Sequence, residues 1–130
     1  MGAAENADRI RAGYKAFNTG DVPGLIDLFA EDIVWHFPGK SKLAGEHVGR
    51  DAVLGALGAY GAATDGTLQA TPVDVMASDN NVTGWANDTA TAGGKTLDIN
   101  SVVIFTMREG KVTEARHFVD DVAALDAILA

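Results

Sequence analysis

The sequence predicts an α+β domain, with helices concentrated before residue 63 and long strands after residue 67. Apolar residues recur at helical spacing through much of the first half. Four β-rich runs then follow one another with only short polar turns between them. The chain has 130 residues, enough for one hydrophobic core and too few for two ordinary domains.

Ile10, Tyr14 and Phe17 stand four and three residues apart, one stripe of a helix over residues 4–18. Asn18-Thr19-Gly20 ends it, since Gly20 suits the left-handed stop position. Asp21 caps a second helix, and Pro23 is tolerated in its first turn. This helix carries Leu25, Ile26, Leu28 and Phe29 and is expected to end near Glu31-Asp32. Residues 33–37 are β-branched and aromatic and predict a strand, stopped by Pro38-Gly39. Residues 40–49 are a polar excursion with the look of a loose hairpin. A third helix is expected from about Arg50 to Ala63, with Val53, Leu54, Leu57 and Tyr60 as its apolar face. Gly55, Gly58 and Gly61 weaken it by about 1 kcal/mol each relative to Ala. Their spacing either admits a second backbone at close range or marks a poorly optimised helix.

Residues 67–77, 82–92, 96–108 and 111–119 read as four long strands. Asp79-Asn80-Asn81, Gly93-Gly94 and Glu109-Gly110 turn the chain between them, which implies an antiparallel meander. Asp120 or Asp121 then caps a last helix with Val122, Leu125, Ile128 and Leu129 on its apolar side. A long twisted sheet with three helices on one face curls into a cone, and a cone open at one end is a pocket. Val102-Val103-Ile104-Phe105 is apolar on both strand faces, where a one-sided sheet would alternate. The outer face is therefore expected to be covered by a second copy of the chain, as a homodimer.

Composition removes several function classes. Lys and Arg number 10 against 18 Asp and Glu, a net charge of −8. That opposes nucleic acid, whose affinity comes from neutralised phosphates, and anionic membranes. No cysteine is present, so no disulfide, thiol nucleophile or thiolate metal site is expected. No apolar run is long enough to span a bilayer and no secretory signal is seen, so the default expectation is a cytoplasmic protein. No phosphate loop, dinucleotide glycine motif or Ser-His-Asp order occurs, and no cofactor is implied.

Four segments occur in a telling order: Tyr14-x-x-Phe17-Asn18-x-Gly20-Asp21, Leu28-Phe29-Ala30-Glu31-Asp32, Gly49-Arg50-Asp51-Ala52, and Phe105-x-x-Arg108-x-Gly110-Lys111-Val112-x-Glu114-x-Arg116-x-Phe118-x-Asp120. Together they resemble the nuclear transport factor two-like superfamily, and within it the SnoaL-like and ketosteroid-isomerase-like branches. The resemblance covers nearly the whole chain. It implies a cystatin-like α+β barrel, a curved antiparallel sheet wrapped around the three helices of the N-terminal half with a short C-terminal helix. It does not imply one function, because this fold hosts isomerases, cyclases, hydrolases, dehydratases and non-catalytic proteins.

Ketosteroid isomerases use a carboxylate base and an oxyanion hole of Tyr plus a protonated Asp. By the resemblance, Tyr14 matches that Tyr, the base position falls on Phe37 and the second acid on Val103, so neither acid is present. Limonene-epoxide hydrolases use an Asp-Arg-Asp trio. One of its acids matches His117, and the other two residues lie on the strand holding Trp85 and Asn87, with Asp88 adjacent. That trio is not reproduced.

His117 shares a strand face with Ala115 and Val119, which the resemblance makes the pocket side. An imidazole exchanges a proton near neutrality, so His117 is the candidate general acid/base. The plain alternative is a partly exposed strand histidine without a role. The Tyr14 hydroxyl is the candidate donor to a carbonyl or enolate oxygen, unless it simply bonds backbone in the core. Trp35, Phe37, Trp85, Asn87 and Val103 are the expected substrate-binding residues, with core packing as the alternative for the aromatic ones. His36, His47 and His117 lack metal-ligand spacing, and no metal is expected. The function expected is that of a small-molecule enzyme of isomerase, cyclase or hydrolase type. Its substrate would be a hydrophobic carbonyl or epoxide compound. The alternative is non-catalytic binding of a hydrophobic ligand or a partner chain.

Overall fold

The computed structural model describes residues 2–130. Helix α1 (Ala3–Thr19) ends at Gly20, whose φ of 70° places it in the left-handed region. Helix α2 (Val22–Leu28) is capped by the Asp21 carboxylate, which accepts from the Gly24 N–H. It stops earlier than the sequence predicts. Phe29 is already extended and pairs with Val112, so strand β1 runs over Phe29–Phe37 and takes Glu31-Asp32 with it. The polar excursion contains a short strand β2 (Gly45–Val48), antiparallel to β1. Helix α3 (Arg50–Ala63) follows, then β3 (Gln69–Ala77), β4 (Asn81–Ala92), β5 (Lys95–Arg108), β6 (Lys111–Val119) and helix α4 (Val122–Leu129). Asp121 provides the cap of α4, accepting from the Ala124 N–H.

The six strands form one curved sheet in the order β2-β1-β6-β5-β4-β3. Strands β3 to β6 form the predicted antiparallel meander. The β1–β6 pair is parallel, which makes the sheet mixed. No tight turn joins those two strands, so no turn signal in the sequence could set their direction.

Burial alternates along β4 and β5, as expected of strands with one face on the core. Helix α1 packs over β3 and β4, and α3 packs over β1. Ile10, Ile33, Val53, Val82, Val112 and Leu125 are fully enclosed between helices and sheet. The glycines of α3 do not receive a second backbone. A Cβ added at Gly55, Gly58 or Gly61 would meet nothing within 4 Å, so they face open space. Among the described residues, no helix is long and apolar enough to cross a membrane.

Candidate active site

A cavity of about 70 Å³ lies between α1, α3 and the inner face of the sheet. Phe29, Trp35, Val103 and Phe105 supply apolar wall. Tyr14, Asp88 and His117 supply polar atoms, with Tyr60 and Ser101 beside Asp88.

Strand register sets this arrangement. His117 on β6 pairs with Val103 on β5, and Val103 pairs with Gly84 on β4. One transverse row therefore crosses the inner face. Tyr14 descends from α1 onto the Gly84 end of that row. A Cβ at Gly84 would overlap the Tyr14 hydroxyl, so the missing side chain is what lets the phenol reach the sheet.

The Tyr14 hydroxyl is buried and has no hydrogen-bond partner. Burial, and then the nearby charge of Asp88, raise its pKa well above the usual phenol range. It stays protonated and is a donor without an acceptor. His117 is 8% exposed. Its Nδ1 accepts from the Trp35 indole N–H at 3.4 Å, while Nε2 is buried and unpartnered. Burial lowers its pKa to about 4, so the ring is neutral at pH 7.

Asp88 is 2% exposed, a carboxyl group in the core. It accepts from Tyr60 Oη at 3.0 Å and from Ser101 Oγ at 2.8 Å, one bond on each oxygen. Burial pushes its pKa up to about 6, against the downward pull of those two bonds. Burial, and then the charge and hydrogen bond of Asp88, raise the pKa of the Tyr60 phenol. At pH 7 most Asp88 is ionised, yet it holds a proton far more readily than a solvated carboxylate.

Of the residues singled out from sequence, Tyr14, Trp35, Val103 and His117 line this one cavity. Phe37 stands behind it, its ring edge-to-face on Tyr60 at 5.4 Å and on His117 at 5.1 Å. Trp85 and Asn87 correct the expectation made for them, because both lie on the outer sheet face. Trp85 is 40% exposed and donates to Asn100 Oδ1, and Asn87 donates to Asp98 Oδ1. The inward positions of β4 are Val82, Gly84, Ala86, Asp88 and Ala90, mostly small because α1 lies close above them. In the sequence reading Ser101 has no role, Tyr60 stands only on the apolar face of α3, and Asp88 is marked only as adjacent to Asn87. A signal for Asp88 did exist, as a lone acid sharing a strand face with valine, glycine and alanines.

The other histidines are engaged elsewhere. His36 Nε2 lies 2.8 Å from Glu114 Oε2, and His47 Nε2 lies 2.6 Å from the Leu43 carbonyl. Among the described residues, no group of three or more His, Cys, Asp or Glu is placed to hold a metal ion.

The model of the SnoaL-like domain matches residues 10–115. The chain belongs to the SnoaL-like domain family. An uncharacterized protein of Mycobacterium tuberculosis is 36% identical over 124 residues, covering 95% of each chain. Among solved structures, this SnoaL-like domain is similar to Bal32a from a soil-derived mobile gene cassette. Identity is 40% over 98% of both chains, with a TM-score of 0.95. It is also similar to TerC, crystallised with polyporic acid, at 25% identity and a TM-score of 0.84. That match covers 97% of this chain and 99% of TerC.

Proposed function

We propose that this SnoaL-like domain is an enzyme that moves a proton on a neutral, apolar carbonyl compound, in isomerase or cyclase chemistry. One observation carries the reading: a buried, ionisable carboxyl group shares an apolar cavity with two buried polar atoms that have no partner. Each such atom costs folding about 1–3 kcal/mol, so the arrangement makes sense as a site prepared for a ligand. Asp88 takes a proton from the carbon next to the carbonyl. Negative charge moves to the carbonyl oxygen, which accepts from the Tyr14 hydroxyl and the His117 ring. Asp88 then returns the proton to a different carbon, or the enolate carbon attacks a second carbonyl within the same molecule. The acid/base part expected of His117 thus passes to Asp88, because burial makes the imidazole the weaker base, with a pKa of about 4 against about 6 for Asp88, and its Nδ1 is occupied.

The cavity also supports the substrate's character. No Lys or Arg lines it, so an anionic ligand would meet Asp88 without compensation. Trp35, Val103, Phe29 and Phe105 would hold the hydrocarbon part. The volume is below the roughly 150 Å³ that admits a benzene ring, so a ring-sized substrate enters only as lining side chains move apart. The small molecule crystallised with TerC supports an organic ligand for this fold.

The test is enzyme-dependent α-deuteration of small cyclic ketones in D₂O, followed by proton NMR. Exchange that depends on Asp88 is expected. Saturable ligand binding without exchange across the ketone panel would select the non-catalytic reading.

The proposal includes a homodimer formed through the outer sheet face. Phe118, Val102 and Trp85 lie in one cross-strand row there, and Phe118 is 53% exposed. Large apolar side chains in a contiguous exposed row mark interaction surfaces. Sedimentation at micromolar concentration is expected to give a dimer, and Phe118→Glu a monomer that stays folded. A monomeric wild-type protein would remove this part of the proposal.

A further inference from the structure

A histidine that works as a base is commonly oriented by a carboxylate or carbonyl accepting from its second ring nitrogen. His117 has the reverse arrangement. Its Nδ1 faces the indole N–H of Trp35 at 3.4 Å. An indole nitrogen only donates, so Nδ1 must be bare to accept from it. A neutral imidazole carries one ring proton, and that proton is left on Nε2. Nε2 is the buried, unpartnered atom of a residue that lines the cavity.

The opposite tautomer would set Nδ1–H against the indole N–H, donor to donor. Rotation of the ring is also restrained. Trp35 stands edge-to-face on one side at 5.9 Å, and Phe37 on another at 5.1 Å. Trp35 is itself buried and held between Phe29 and Phe105, at 6.1 Å and 5.9 Å.

We infer that Trp35 is a positioning residue that fixes His117 as the Nε2–H tautomer, so that the cavity selects ligands offering a neutral acceptor oxygen at that point. A carbonyl, ether or epoxide oxygen fits. A hydrocarbon group offers no acceptor there, and an ammonium group would set donor against donor at Nε2. The ligand class rests on the small-molecule reading of the cavity, whereas the tautomer does not.

The test is a two-bond ¹H–¹⁵N correlation spectrum of the histidine rings at pH 7. Wild type is expected to show His117 with a protonated Nε2 and a bare Nδ1. Trp35→Phe keeps an aromatic ring but removes the donor, and a measurable Nδ1–H share is expected to appear. A proton on Nδ1 in wild type overturns the inference, as does a single unchanged tautomer in Trp35→Phe. If that variant does not fold, the wild-type spectrum decides.

The ligand class is read with cyclopentanone against methylenecyclopentane, which differ in one oxygen. The ketone is expected to shift the Nε2–H resonance and the alkene to leave it in place. An equal response to both, or none to the ketone, overturns the acceptor assignment. A fixed Nε2–H in a protein that performs no α-exchange would count against the proton-transfer reading alone. A reversed tautomer would count against this inference and leave Asp88 its part.

Discussion

Asp88→Asn is expected to remove proton transfer while making the protein more stable. General acid/base groups contribute about 10²–10⁴ in rate, and the loss should fall in that range. The stability change has the opposite sign. The carboxyl's pKa stands near 6 in the folded protein against an ordinary 3.8. Between those values the folded state binds more protons than the unfolded chain, so stability falls as pH rises from about 4 to about 6. Above that window the full penalty remains, on the order of 3 kcal/mol. An amide carries no charge and can still meet the Tyr60 and Ser101 hydroxyls, which rotate to suit it. Denaturant melts of both proteins at pH 4 and pH 7 read the effect as their difference. The variant should gain over wild type at pH 7 and lose that advantage at pH 4. A variant that is less stable at pH 7 would make Asp88 a structural residue.

Tyr14→Phe is expected to lower turnover by about 10²–10³, the usual effect of deleting one donor to a developing oxyanion. Folding should be untouched or slightly improved, because the hydroxyl has no bond to lose. The loss belongs in kcat. The dependence of rate on the Asp88 carboxyl, with its midpoint near pH 6, should persist in the variant. Equal losses in kcat and stability would mean that the phenol is ordinary core packing.

The helices and meander were legible because local rules settle them. The Ile10/Tyr14/Phe17 stripe, Gly20, the caps at Asp21 and Asp121, and three short polar turns each act over a few residues. The end of α2 was not legible, because Leu28 and Phe29 suit helix and strand equally and the choice follows from pairing with Val112 far along the chain. The site divided along the same line. Tyr14, Trp35 and His117 stood out as residue types on recognisable elements. Trp85 and Asn87 look like ligand contacts, yet their strand has one face under α1, which takes mostly small side chains. Which parity faces inward was decided by that helix. With the parity reversed, the acid beside them becomes one of the groups that line the cavity. Tyr60 was already on the apolar stripe of α3, and its bond to Asp88 across 28 residues had no local signature.

The parallel pairing of β1 with β6 bears on how the protein assembles. Trp35 and His117 are 82 residues apart in sequence, and their strands meet only when the two ends of the chain come together. Contacts of that separation slow folding, because the intervening loop must close before the contact can reward it. Of the cavity's polar groups His117 alone rides on β6, so it joins Tyr14, Tyr60, Asp88 and Ser101 only as the last strand docks.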